Sequence, residues 1–264
     1  MKQFLLQQKP DAQGYVRLTG GDYHYLVRVR RFKTGDGFTA LLPDGRKAHV
    51  EVRQDDGRGI LLQCVAGLKE RAVPDGFSAM PPLYLFQAVP KGAKIDLIVR
   101  QATENGVAAV VPFFAERGQK RELRTARLAN IIREARQQSG SEVNTYVENP
   151  LTFEKMLEHW QELKNAAGGN AAAVFLHELP LQKTSFHEAF AKNPQAAALA
   201  IGPEGGFAEE ETQGFMQYGF VPVLAGINIL RAETAALYAL AAARTVLLER
   251  ELWTIRQREQ AEKP

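Results

Sequence analysis

Glu204, Arg231, Glu233 and Thr234 are the side chains best placed to do chemistry, because each stands in a short stretch otherwise made of glycine, proline and small apolar residues. The first stretch ends the apolar run Ala196–Ile201 with Gly202-Pro-Glu-Gly-Gly-Phe207, and the second ends Phe220–Leu224 with Ala225-Gly-Ile-Asn-Ile-Leu-Arg231 before a helix opens at Ala232. Apolar runs of this length read as strands, and the Gly-Pro and Ala-Gly stops read as tight loops. Two loops at the carboxyl ends of strands form a ligand crevice in an α/β sheet. Backbone N–H and C=O groups there can read the edge of a flat heterocycle while Leu, Ile and Pro cover its faces, so the expected chemistry is that of an adenine-type cofactor site. The same residues also suit a plainer structure: Gly205-Gly206 as a turn before a helix whose Glu209, Glu210 and Glu211 favour its dipole, and Arg231 as the ion-pair partner of Glu233 or Glu204.

Other chemistries lack their residues. No Gly-x-x-x-x-Gly-Lys-Ser/Thr loop, Gly-x-Gly-x-x-Gly fingerprint or Gly-x-Ser-x-Gly elbow occurs, which argues against nucleotide hydrolysis, a standard dinucleotide fold and a serine hydrolase. His24, His49, His159, His177 and His187 form no His-x-x-x-His pair and Cys64 is the one cysteine, so no metal and no disulfide are expected. Cys64 falls in a strand-like pattern and is expected as a small core residue. No apolar stretch approaches the ~20 residues of a membrane span; Ala235–Ala243 stops at Arg244, and Phe4-Leu5-Leu6 is too short for a signal peptide. A cytoplasmic protein without a membrane partner is expected.

The elements that would position the loops follow from the pattern. Residues 1–70 carry Gly-rich turns between short strands at Phe38–Leu42, Lys47–Arg53 and Ile60–Val65, which reads as a small antiparallel barrel or sandwich. Periodicity is lost over Lys69–Pro82, placing a boundary at 73/74. Beyond it strands at Leu83–Val89, Val107–Phe114, Ala172–His177, Ala196–Ile201 and Val221–Leu224 alternate with helices at Ala93–Asn105, Thr125–Ser139, Thr152–Leu163, Glu209–Tyr218 and Ala232–Leu252. That alternation predicts an α/β domain with a mostly parallel sheet.

Charge is unevenly spread. The net charge is +3, yet residues 1–75 hold thirteen Lys and Arg against nine Asp and Glu, and residues 91–136 hold ten against five. Two basic regions fit a polyanionic partner, and equally two solvated faces. In the first, His24, Arg28, Arg30, Arg31 and Lys33 alternate with aromatic and aliphatic residues, which suits RNA phosphates and bases or an amphipathic segment packed on the barrel. In the second, Arg117, Lys120, Arg121, Arg124 and Arg127 would share one side of a helix beginning near 120.

The loop pair Ile201-Gly-Pro-Glu-Gly-Gly-Phe207 and Leu224-Ala-Gly-Ile-Asn-Ile-Leu-Arg-Ala-Glu-Thr-Ala235 resembles the signature of the bacterial 16S ribosomal RNA uridine-N3 methyltransferases, within the SPOUT superfamily. Lys91-Gly92, Gln101-Ala-Thr-Glu-Asn-Gly-Val107, Glu134-Ala-Arg-Gln-Gln-Ser139 and His24 through Asp36 extend the likeness over nearly the whole chain. The resemblance implies a PUA-like RNA-binding barrel over 1–73 and a trefoil-knotted α/β methyltransferase domain over 74–264. It implies S-adenosylmethionine as cofactor, 16S ribosomal RNA within the small subunit as partner, and a homodimer with composite active sites. Cofactor contacts are implied at Leu176, His177, Glu178, Gly202, Pro203, Glu204, Gly205, Gly206, Leu224, Ala225, Gly226, Ile229, Leu230, Arg231, Thr234 and Ala235. Arg231 and Glu204 are the implied catalytic pair, and Lys91 joins the other basic residues as an RNA contact. Asn228, Gln101, Gln137, Asn105 and Ser141 depart from the family's usual residues.

Overall fold

The computed structural model describes residues 1–67 and 80–261. The chain divides into two compact units, Met1–Ala72 with Arg136–Glu142, and Val73–Ala135 with Val143–Pro264. The expected boundary at 73/74 lies outside the described residues.

The first unit is one five-stranded sheet built from β1 (Phe4–Leu5), β2 (Tyr15–Thr19), β3 (Gly37–Leu41), β4 (Lys47–Asp55) and β5 (Gly59–Gly67), in the order β1-β3-β4-β5-β2. Its pairs are antiparallel except β1 with β3. Alternate residues turn inward, so Phe38, Ala40, Val50, Val52, Ile60 and Leu62 bury one face. The expected amphipathic segment is a short helix α1 (Gly20–Tyr23) continuing into a π-helical turn over His24–Val29; its Leu26 is fully buried in the same core. At the β4–β5 hairpin, Asp56 accepts from the N–H of Arg58 and Gly59 and pairs with Arg17, which together hold its carboxyl at about 2. Cys64 is only half-buried against this core, and burial pushes its thiol up.

The second unit is a sheet whose pairs are all parallel, in the order β12-β10-β11-β6-β7-β8, with β9 also on β7. Its strands are β6 (Leu83–Ala88), β7 (Ala109–Phe114), β8 (Tyr146–Val147), β9 (Leu151–Thr152), β10 (Ala171–His177), β11 (Ala196–Ile201) and β12 (Phe220–Leu224). Helices α2 (Lys94–Glu104), α3 (Thr125–Ser139), α5 (Phe186–Phe190) and α7 (Ala232–Ala261) contribute to an aliphatic core on one face. Helices α4 (Phe153–Ala166) and α6 (Glu209–Gln217) build an aromatic core on the other. Strand alternation assigns the faces: in β6, Leu83 and Leu85 join the first core and Phe86 and Ala88 the second.

Every expected strand and helix of this unit is present, with bounds within a few residues except that α7 runs to Ala261, nine residues beyond its expected end at Leu252; α5, β8 and β9 are additional. The split edge has a local cause: β8 pairs with Ala109 and Val110, β9 with Phe113 and Phe114, and Pro112, which has no N–H to offer, falls in the gap. One expectation is corrected. Residues 115–124 form no helix, and α3 begins only at Thr125. Gly118 closes a turn on the Ala115 carbonyl and Arg121 donates to the carbonyl of Gly92, and these bonds hold the stretch irregular. Among the described residues no helix is long and apolar enough to cross a membrane, and no cluster of metal-binding side chains occurs.

Candidate active site

The two loops leave the sheet on either side of β10, since β11 and β12 both pair with it. The ends of all three strands therefore line one cleft. Leu176, His177 and Glu178 form the β10 side; Ile201, Gly202, Pro203, Glu204, Gly206 and Phe207 the β11 side. Leu224, Ala225, Gly226, Ile227, Asn228, Ile229 and Leu230 form the β12 side, with Ala232 and Ala235 from α7. Of the residues expected at a cofactor, Gly205, Arg231 and Thr234 do not line it. Ile201, Phe207, Ile227, Asn228 and Ala232 line it without having been assigned there.

The first loop is held from several sides. A side chain at Gly202 would meet the ring of Phe207 at 3.3 Å, so glycine lets that ring close beneath the loop. Phe207 is buried among Phe113, Phe175 and Phe215. Glu211, 5% exposed, accepts from the N–H of Ala208 with one carboxylate oxygen (2.9 Å) and from the N–H of Glu116 with the other (2.8 Å), tying the loop after β11 to the loop after β7. Arg117 adds a long bond to the carbonyl of Gly205.

Glu204 does not pair with Arg231. Its Oε1 accepts from Lys94 Nζ at 2.7 Å and from the backbone N–H of Lys91 at 3.3 Å, and Lys94 Nζ also lies 3.4 Å from Glu233 Oε2. Burial opposes ionisation of Glu204, but the Lys94 and Lys91 donors outweigh it and keep the carboxyl below its ordinary range. The same hydrogen bond holds the Lys94 ammonium above its ordinary range.

The second loop has fewer restraints. Gly226 has a φ of +145°, a conformation that L side chains rarely adopt. Ile227 and Ile229 are 99% and 83% exposed. Arg231 caps α7 by accepting from the N–H of Ala235 through its carbonyl; its side chain is exposed and makes no hydrogen bond or ion pair among the described residues. On the β10 side, the N–H of Leu179 donates to Nδ1 of His177 at 3.1 Å.

The basic residues sort into two groups. In the first unit His24, Arg28, Arg30, Arg31 and Lys33 are all exposed, and none has an ion-pair partner among the described residues. Arg31 takes a φ of +59°, unusual for a non-glycine residue. In the second unit Lys91 and Arg117 stand beside the first loop, and Lys120 is exposed. Arg121 and Arg124 line, with Arg127, a groove of about 650 Å³ at the start of α2, where Arg127 pairs with Asp96 at 2.6 Å.

Sequence reasoning missed Lys94. One signal was legible: a cation opening a helix opposes the helix dipole and calls for a compensating anion.

Residues 78–244 match the RNA methyltransferase domain family, and residues 18–63 the RNA methyltransferase PUA domain. Over 237 residues the chain is 32% identical to the ribosomal RNA small subunit methyltransferase E of Synechocystis sp. (strain ATCC 27184 / PCC 6803 / Kazusa), covering 88% of this chain and 73% of that protein. The chain belongs to the ribosomal RNA small subunit methyltransferase E family. The Bacillus subtilis (strain 168) member of this family is 27% identical, covering 90% of this chain and 93% of its own. The fold is shared with the crystal structure of the family member from Neisseria gonorrhoeae bound to S-adenosyl methionine, with a TM-score of 0.79 at 23% identity, over 94% of this chain and 99% of that one.

Proposed function

We propose that the protein transfers a methyl group from S-adenosylmethionine to N3 of a uridine in 16S ribosomal RNA of the small subunit. The observation that carries this reading is the cleft enclosed by the two strand-end loops in a chain of this family. The residues present fit the cofactor. Leu176, Leu224, Leu230 and Ala235 offer apolar faces for an adenine ring, the loop backbones offer donors and acceptors for its edge, and the Glu178 carboxylate offers negative charge to a cationic sulfur or amine.

Bound in the cleft, the cofactor supplies an electrophilic methyl group on a positively charged sulfur. The chain supplies alignment and charge. Uridine N3 must lose its proton, which passes to solvent water, and the negative charge then spreads onto O2 and O4 of the ring. The exposed guanidinium of Arg231, without a partner among the described residues, is the group we assign to those oxygens. Glu204 is a poor proton acceptor, because Lys94 and the Lys91 N–H stabilise its ionised form; its role is to place and balance charge in the first loop.

The remaining parts of the reading concern partners. His24, Arg28, Arg30, Arg31 and Lys33 on the PUA-like unit, over 1–73, and Lys91, Arg117, Lys120, Arg121 and Arg124 on the methyltransferase unit, over 74–264, hold RNA phosphates. A second copy of the chain covers exposed Ile227, Leu237 and Tyr238, and the segment from β10 to α7 threads the SPOUT knot. The site of action is the cytoplasm.

Nucleoside mass spectrometry of 16S ribosomal RNA, naked or in small subunits, treated with protein and S-adenosylmethionine tests the reaction. N3-methyluridine is expected; a different methylated nucleoside assigns another RNA base, and no product together with no heat of cofactor binding overturns the reading. Arg231→Ala is expected to lower kcat about 100-fold with the cofactor Kd little changed. Unchanged turnover would remove Arg231 from its role.

A further inference from the structure

Lys94 belongs to neither loop, yet it meets Glu204 in the first and Glu233 in the helix turn that follows the second. It opens α2, where its charge works against the helix dipole. Its ammonium lies 2.7 Å from Glu204 in the first loop and 3.4 Å from Glu233, two residues beyond Arg231 at the end of the second. Lys94, Glu204 and Glu233 side chains are 29%, 24% and 18% exposed, so these charges interact more strongly than on an open surface. Glu233 Oε2 is buried and accepts no hydrogen bond among the described residues, which leaves the Lys94 charge as its compensation.

The sheet sets the spacing of the two strand ends through β10, but no ladder bond joins the loops beyond them. The loops follow β11 and β12, which are not neighbours, because β10 lies between them. A side chain from α2 spans what no ladder bond spans. Without that cation two carboxylates would face each other, and the unpaired Arg231 guanidinium is the cation next to them in the chain.

We propose that Lys94 is a positioning residue for methyl transfer: its ammonium, set between Glu204 and Glu233, fixes the spacing of the two loops and keeps both carboxylates away from Arg231. This rests on the methyl-transfer function proposed above. Lys94 touches neither cofactor nor base in this role and acts through Arg231 and the loop backbones.

The test is steady-state kinetics of the full chain on small-subunit RNA, with kcat and the KM of each substrate measured separately, alongside thermal melts. Lys94→Met is expected to lower kcat at least about tenfold, since small misplacements of catalytic groups cost that much or more, while the KM for RNA stays within about twofold of the wild type because no phosphate contact is removed. Lys94→Arg, which restores a cation able to bridge two carboxylates, is expected to recover most of the loss. Adding Glu233→Gln to Lys94→Met is expected to recover part of it by removing one competing carboxylate. Equal kcat for Lys94→Met and wild type overturns the proposal, as does a Lys94→Arg protein that melts normally but is as slow as Lys94→Met. If Lys94→Met does not fold, Glu233→Gln alone decides: a several-fold lower kcat supports the bridge and an unchanged kcat overturns it. A wild-type protein that makes no methylated nucleoside sinks the functional reading instead, and the two failures are thereby distinct.

Discussion

The two loops of the cleft are alike in sequence character and unlike in how they are held. The first has Phe207 buried beneath it, Glu211 bonding its backbone from behind and Lys94 gripping Glu204 at its rim. The second presents Ile227 and Ile229 almost wholly to solvent and leaves Arg231 unpaired among the described residues. One wall is thus built in advance, and the other carries apolar and cationic groups that gain partners only when something binds. A preformed wall lowers the ordering cost of binding, and an open one admits a bulky substrate.

This contrast can be broken most severely at Phe207. Phe207→Ala removes a buried ring from a cluster of four and is expected to cost about 3–5 kcal/mol of stability, read as a fall in the urea midpoint; a loss below 1 kcal/mol would mean the first wall is not anchored there. Next comes Glu211→Ala, which strands the N–H groups of Ala208 and Glu116. A loss of about 2–3 kcal/mol is expected, and a neutral effect would show that water replaces the carboxylate. Ile229→Ser sharpens the other side. Its stability change should stay within about 0.5 kcal/mol, while calorimetry shows cofactor binding weaker by about 1 kcal/mol through the lost apolar contact; a destabilised protein with unaltered binding would reverse the assignment.

The smallest effect is in the pH dependence of the rim. Because Glu204 is held below its ordinary value of 4.5, its contribution is present above that pH and is lost as pH falls through the lowered value. Because Lys94 is held above 10.5, its contribution is full below that pH and is lost as pH rises through the raised value. The pair is therefore constant across neutral pH. A carbon-detected NMR titration of the Glu204 carboxyl should give a midpoint below 4.5 that moves upward in Lys94→Met; a midpoint at or above 4.5 in the wild type contradicts the pairing.

What could be read from the sequence follows how local each signal is. The strands at Ala196–Ile201 and Phe220–Leu224 and the glycines that stop them are local, so both loops were legible as a pair of strand ends. The helix dipole marks Lys94 as needing an anion, but which anions could not be read, because its partners stand 110 and 139 positions away and only the fold brings them together. The helix expected from residue 120 failed for a similar reason, since a bond from Arg121 to a distant carbonyl outweighs the spacing of its neighbours. The two-residue strands β8 and β9 are too short to carry a period, and their positions answer to Pro112 in another strand. Gly205 and Arg231 sit in the right loops and Thr234 in the first turn of α7, yet none of them lines the cleft.

The place of β10 has a consequence for the time course of folding. Both of its neighbours, β11 and β12, come later in the chain, so a growing polypeptide that has reached residue 177 carries a finished strand with neither edge occupied. One edge is filled by residue 201 and the other only by residue 224. Pairings between segments far apart in sequence close slowly, and an open strand edge in the interval is a template for unwanted partners. The cleft is consequently among the last features to exist, and the interval before it closes is when the chain is most exposed to misassembly.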